Sequence, residues 1–163
     1  MSLTAKYTSK LTAIETLTDA LIDGSDNTVT HSGLNVAETT YTGATGTPVS
    51  KVAAYEKAMS GGAGTIDLTA VLGSAGATVT GDGLKVQFVK LRAKATNAND
   101  ITIVQGASNS YPLFGSSFSI TLKPGQEILA SLNNAAGTIG SGAKTIDISG
   151  TGSQVLQVEF VMG

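Results

Sequence analysis

Acid–base catalysis near neutral pH depends on a side chain that titrates there, and His31 is the only histidine in the chain. It lies in Thr28-Val29-Thr30-His31-Ser32-Gly33, a polar stretch with no neighbouring partner. A Ser-His-Asp set drawn from distant positions would satisfy the chemistry, but no strand–turn–helix nucleophile elbow surrounds any serine. Asp23, Asp26 and Asn27 crowd oxygen ligands into one turn. A calcium loop would use such residues, yet the EF-hand order with Gly at the sixth position and Glu at the twelfth is missing, and an Asx turn is the better account, needing no metal. Gly61-Gly62-Ala63-Gly64 and Gly73-Ser74-Ala75-Gly76 look like phosphate loops, but neither leads into Lys-Ser/Thr or a helical pattern. Without cysteine there is no thiolate metal site and no cysteine nucleophile. The chain is therefore read as not an enzyme, with no catalytic, cofactor-binding or metal-ligating residue and no cofactor.

The side chains that stand out suit contact rather than chemistry. Lys85, Lys90, Arg92 and Lys94 place four of the ten basic residues on one strand candidate, and Arg92 is the sole arginine. They form either an electrostatic strip for an acidic partner or an ordinary solvated strand guarded by lysine. Tyr111-Pro112-Leu113-Phe114-Gly115 is the one dense apolar and aromatic loop. Its Tyr111 and Phe114 either touch another subunit or plug one end of the fold.

These residues are carried by 163 positions, enough for one domain or one domain plus an arm. Gly (20), Thr (22) and Ser (16) dominate, and only 13% of residues are charged, about half the usual share. With 41% hydrophobic residues in short Val/Ile/Leu/Phe runs, a core can form and wholesale disorder is excluded. A net charge of −2 speaks against nucleic acid as a direct partner. No run of about 18 apolar residues offers a membrane span, and Met1–Lys6 lacks the apolar core of a signal peptide, so synthesis in a cytoplasm is expected.

Alternation of period two predicts strand from Leu3 to Ala13. Over Leu11–Ile22 a helical spacing competes, and the threonines favour strand. Residues 1–60 are read as an N-terminal arm of strands, closing with a strand from Val49 to Met59 and a flexible hinge at Gly61–Gly64. Residues 65–163 are read as the core domain. Its strands run through Thr65–Leu68, Leu84–Ala95, Ile101–Val104, Phe118–Leu122, Glu127–Leu132, Lys144–Ile148 and Gln154–Met162, with a type II turn at Pro124-Gly125. In Leu84–Ala95 the apolar alternation slips by one residue, which predicts a β-bulge near Phe88-Val89.

The succession Ile66-Asp67-Leu68, Val86-Gln87-Phe88-Val89-Lys90-Leu91-Arg92-Ala93-Lys94, Asn99-Asp100-Ile101-Thr102-Ile103, Gly106-Ala107-Ser108-Asn109 and Leu122-Lys123-Pro124-Gly125 resembles small structural proteins of tailed-bacteriophage virions. The close, Lys144-Thr145-Ile146-Asp147-Ile148 followed by Ser149-Gly150-Thr151-Gly152 and a last strand, fits the same pattern. About the last hundred residues carry the resemblance. It implies an all-β fold, a single antiparallel sandwich of jelly-roll type with an extended N-terminal β arm. It also implies a capsid decoration or cement protein that stabilises the shell, located in the virion. Its partners would be other copies of itself, a trimer in the simplest case, and the major capsid protein. The alternative is a tail, fibre or surface adhesin module that binds host glycans. A small hydrolase using His31 or clustered acids is the weakest reading.

Overall fold

The computed structural model describes residues 3–18, 26–33, 36–73 and 76–163. It is all-β, and its chain divides into two compact units, Lys6–Thr40 and Tyr41–Gly163 together with Met1–Ala5.

The N-terminal strands are β1 (Thr4–Ser9), β2 (Ala13–Thr18), β3 (Asp26–His31) and β4 (Val36–Thr42). They pair as β1 with β4 and β2 with β3, the latter antiparallel with Ala13 opposite His31 and Thr18 opposite Asp26. Within the ambiguous Leu11–Ile22 stretch, Ala13–Thr18 is strand, since alternate threonines at 12, 16 and 18 suit an extended backbone, and residues 19–22 lie outside the described residues. The continuous strand expected from Leu3 to Ala13 breaks at 10–12. The polar stretch before Pro48 holds two strands, β3 and β4, built on threonine with too few apolar residues to show a period.

The larger unit adds β5 (Lys51–Ala58), β6 (Ala63–Asp67), the short pair β7 (Val71–Leu72) and β8 (Thr78–Val79), β9 (Val86–Ala93), β10 (Ile101–Gln105), β11 (Ser119–Leu122), β12 (Glu127–Ser131), β13 (Thr145–Gly150) and β14 (Val155–Met162). Two four-stranded sheets, β12-β9-β14-β5 and β11-β10-β13-β6, are antiparallel throughout. Counting only these eight strands along the chain, the orders are sixth-third-eighth-first and fifth-fourth-seventh-second. Every connection except β10–β11 passes from one sheet to the other. The sheets face one another in a sandwich-like arrangement. Val89, Leu91, Leu156, Val158 and Phe160 of one sheet and Ile66, Ile101, Ile103, Ile146 and Ile148 of the other belong to one buried cluster.

β5 pairs along its whole length with β14, Lys51 opposite Met162 and Ala58 opposite Val155. It is thus a strand of the two-sheet unit, although the sequence places it with the arm. Gly61 and Gly62 form a tight turn in place of the expected hinge. Their φ angles are +59° and +86°, Ser60 and Ala63 exchange both backbone hydrogen bonds, and a Cβ on Gly62 would lie 2.6 Å from the Gly150 carbonyl oxygen. Pro124-Gly125 is the predicted turn, with Gly125 at φ +83° and the Gln126 amide donating to the Lys123 carbonyl at 2.9 Å.

The slip in β9 falls one residue earlier than its alternation suggests. Val161 of β14 faces Phe88 while Met162 faces Val86, so Gln87 is the extra residue. Val86 and Val89 can then both point into the core, and Phe88 turns to the outer side, where the Tyr41 ring covers it at 4.7 Å. Gln87 is fully buried and satisfied. Its amide donates to Asn134 Oδ1 (2.7 Å) and the Gly163 carbonyl (3.0 Å), and its Oε1 accepts from the Asn134 backbone amide (3.0 Å).

Candidate functional site

The outer face of β12-β9-β14-β5 carries three of the six predicted contact residues, Lys90, Arg92 and Lys94. Beyond the bulge, alternation projects Lys90, Arg92 and Lys94 outward from β9 and its end. Register then brings acids to them from the flanking strands: Glu127 of β12 lies opposite Arg92, and Glu159 of β14 lies opposite Lys90. The Lys90 ammonium is 3.4 Å and the Arg92 Nε 3.9 Å from one Glu127 carboxylate oxygen. Lys94 pairs with Glu56 of β5 at 2.9 Å, and Gln157 donates to the other Glu56 oxygen at 3.1 Å. The Lys94 and Gln157 hydrogen bonds hold the Glu56 carboxyl below its usual pKa. A shallow concavity of about 310 Å³ lies over this network, between Glu56, Lys90, Arg92, Gln157 and Glu159.

The basic strip is thus interleaved with Glu56, Glu127 and Glu159. Three cations face three carboxylates, so the face is close to neutral and patterned in both signs, not a simple attractor for an acidic surface. These acids were invisible as a group because they come from three strands, and only register aligns them. Lys85 stands apart at the other end of β9. Its ammonium donates to the Asn134 carbonyl at 3.3 Å, and its backbone exchanges hydrogen bonds with Gly163.

Tyr111 and Phe114 separate in role. Tyr111 is fully enclosed, its hydroxyl accepting from the Val86 amide (3.1 Å) and donating to the Gly137 carbonyl (2.8 Å). Burial pushes its phenol pKa up, against the Val86 hydrogen bond. The tyrosine is a plug in the end of the two-sheet unit and presents no surface to a partner. Phe114 is half-buried, set edge-on to Phe118 at 5.6 Å. With Pro112 it rims a second concavity of about 410 Å³, closed on the other side by Leu132, Ala136 and Gly137.

The outer face of β11-β10-β13-β6 has different chemistry. Thr102 and Thr121 share a hydrogen bond at 3.0 Å across β10 and β11, and Thr65 donates to Asp147 at 2.6 Å across β6 and β13. At the end of β6, Asp67 accepts from Lys144 (2.8 Å) and from the Thr69 hydroxyl (2.5 Å). Burial would raise the Asp67 pKa, but the Lys144 and Thr69 bonds outweigh it and the carboxyl sits below its usual range.

His31 lies in β3 opposite Ala13. Asp23 lies outside the described residues, while Asp26 and Asn27 begin β3. Gly73 and Gly76 close the β7–β8 turn, the Gly76 amide donating to the Gly73 carbonyl. Among the described residues no three His, Asp or Glu side chains converge as a metal-binding group, and no helix is long and apolar enough to cross a membrane. No protein-family model matches the chain, and neither the curated proteins nor the solved structures include a significant match to it.

Proposed function

We propose that this chain is a non-enzymatic structural component of a bacteriophage virion, a capsid decoration or cement protein that binds and stabilises the shell through subunit contacts. The observation that carries the reading is the strand order. Sixth-third-eighth-first facing fifth-fourth-seventh-second supports a jelly-roll reading of the sandwich, an architecture used by viral capsid domains as well as by lectins and cupins. Architecture alone does not assign function, so the reading leans equally on the resemblance over residues 65–163.

The N-terminal unit supports it further. None of the described side chains between Lys6 and Thr40 is buried, and two-stranded ribbons of this kind are marginal in water without something to pack on. On a shell, neighbouring subunits supply that cover. The proposed partners are other copies of the chain, a trimer in the simplest arrangement, and the major capsid protein, with no membrane and no direct nucleic-acid role.

The test is addition of the purified chain to particles assembled without it. Saturable binding, with particles that resist heating better, is the expected result. Absence of saturable binding overturns the proposal, and selective glycan-array hits in that case favour the adhesin alternative. Loss of binding on deletion of residues 1–40 would assign the attachment to the arm.

A further inference from the structure

We infer that β12 is a docking edge for a second copy of this chain. The two β12 strands pair antiparallel about a twofold axis at Leu129 and join their sheets into one continuous sheet.

β12 ends the order β12-β9-β14-β5, so one side of its backbone faces no strand. Which groups lie there follows from the other side. The Leu132 amide donates to the Gln87 carbonyl at 2.8 Å, and the Gln126 carbonyl accepts from the Ala93 amide at 3.0 Å. Alternation then turns the backbone groups of Ile128 and Ala130 toward β9, and the amides and carbonyls of Glu127, Leu129 and Ser131 away from it. No described residue hydrogen-bonds to those outward groups, and all three residues are exposed.

The other three edges of the two sheets are guarded. β5 carries Lys51 and Lys57 and has β7 packed against it. A Cβ on Gly64 of β6 would lie 3.5 Å from Lys57 Cε, so the same lysine lies over that strand. β11 has four residues and runs directly into Lys123-Pro124. β12 reads Glu-Ile-Leu-Ala-Ser, with no lysine, no proline and an unbroken register. Its Leu129 is 46% exposed, the highest value among the large apolar side chains described in the two-sheet unit. Such an edge lacks the devices that keep a sheet from pairing with its own kind.

A second copy is the occupant because this strand is its own complement. Centred on Leu129, antiparallel pairing sets Leu129 opposite Leu129, and Glu127 of each copy opposite Ser131 of the other. All the outward amides and carbonyls are then used, in about six bonds of an ordinary antiparallel ladder. The two leucines cover each other as a cross-strand pair, and Ile128 meets Ala130 on the inner side, where both already pack on the margin of the core. Charge agrees with this register. By strand spacing, Lys90 of one copy comes to about 12 Å, Cα to Cα, from Glu127 of the other, within reach of two long side chains. Sliding the strands toward Glu127 sets two carboxylates opposite each other, and sliding them the other way leaves backbone groups unpaired. The inference does not rest on the virion reading, and its test contains no particles.

Leu129 is exposed, so substitutions there leave the fold intact. Leu129→Lys and Leu129→Glu should each weaken self-association by about tenfold or more in sedimentation. An equimolar mixture of the two should restore it, because the proposed register brings position 129 against itself. In the unaltered chain, hydrogen exchange at the Glu127, Leu129 and Ser131 amides should slow as concentration rises, while Ile128 and Ala130 stay protected throughout. A chain that is monomeric at every concentration overturns the proposal. So does association that the single variants leave unchanged, or that their mixture fails to restore, the last of which makes a different strand the occupant of the edge.

Discussion

The two outer faces of the two-sheet unit rest on the same core and on four antiparallel strands each, yet they solve the problem of meeting water differently. The β12-β9-β14-β5 face uses long side chains, Lys90, Arg92 and Lys94 against Glu56, Glu127 and Glu159. The β11-β10-β13-β6 face uses short hydroxyls, Thr65, Thr102 and Thr121, that bond across strands. The first carries more charge and responds more to salt, while the second adds Asp147 and the Asp67–Lys144 pair to its hydroxyls. A subunit wedged between a shell and its neighbours would use the first for orientation, because paired charges penalise a misaligned partner more than hydroxyls do.

The comparison can be broken most severely from beneath. Phe160→Ala, at the centre of the shared core, should cost about 3–5 kcal/mol in chemical denaturation and expose both faces in one transition. Two separate transitions would show that the sheets are not one cooperative unit. Gln87→Leu is specific to the charged side. It removes the hydrogen bonds to the Asn134 backbone amide and to Asn134 Oδ1, while the Gly163 carbonyl keeps the Lys85 amide, and should cost about 1–3 kcal/mol, whereas a loss below 0.5 kcal/mol would mean the bulge survives on register alone.

Smaller effects sharpen the contrast. Reversing both Lys90 and Arg92 to Glu should lower stability by about 1 kcal/mol or less, with the loss shrinking in high salt, since exposed pairs are weak and screened. Thr102→Val with Thr121→Val on the opposite face should shift stability by about 0.5 kcal/mol at most and show no salt dependence.

Acid touches both faces mildly. Glu56 and Asp67 have folded-state pKa values below the usual 4.5 and 3.8, so each binds its proton more readily when unfolded. Their contribution is complete above those values and is lost as pH falls through the lower, folded ones. Unfolding midpoints should therefore fall below about pH 4.5, and Glu56→Gln with Asp67→Asn should flatten that dependence. An unchanged profile in the double variant would locate the acid sensitivity elsewhere.

Much of the fold was legible because strands announce themselves locally. Alternation in Leu84–Ala95 carried both the strand and its bulge, and Pro124-Gly125 carried its turn, since φ preferences act within a few residues. The threonine strands β3 and β4 escaped notice because hydroxyl residues extend the backbone without drawing a hydrophobic stripe. Gly61-Gly62 read as freedom and proved to be constraint. Glycine permits many conformations, and only the Gly150 carbonyl, which a Cβ on Gly62 would meet at 2.6 Å, shows that a side chain is excluded there.

The contact residues divided along the same line. That Lys90, Arg92 and Lys94 share a face follows from the two-residue period of a strand and needed no coordinates. That Glu56, Glu127 and Glu159 answer them depends on the register of three other strands. That Tyr111 is a plug while Phe114 reaches a rim depends on what closes over each. What the amino-acid order determined alone was therefore the all-β class, most strands of the two-sheet unit and the presence of a bulge in β9, all consequences of neighbours in the chain. Tertiary structure alone decided the cancellation of charge, the two concavities and the order in which the sheets are wound, because each joins residues distant in the chain through pairing and packing that no local pattern encodes.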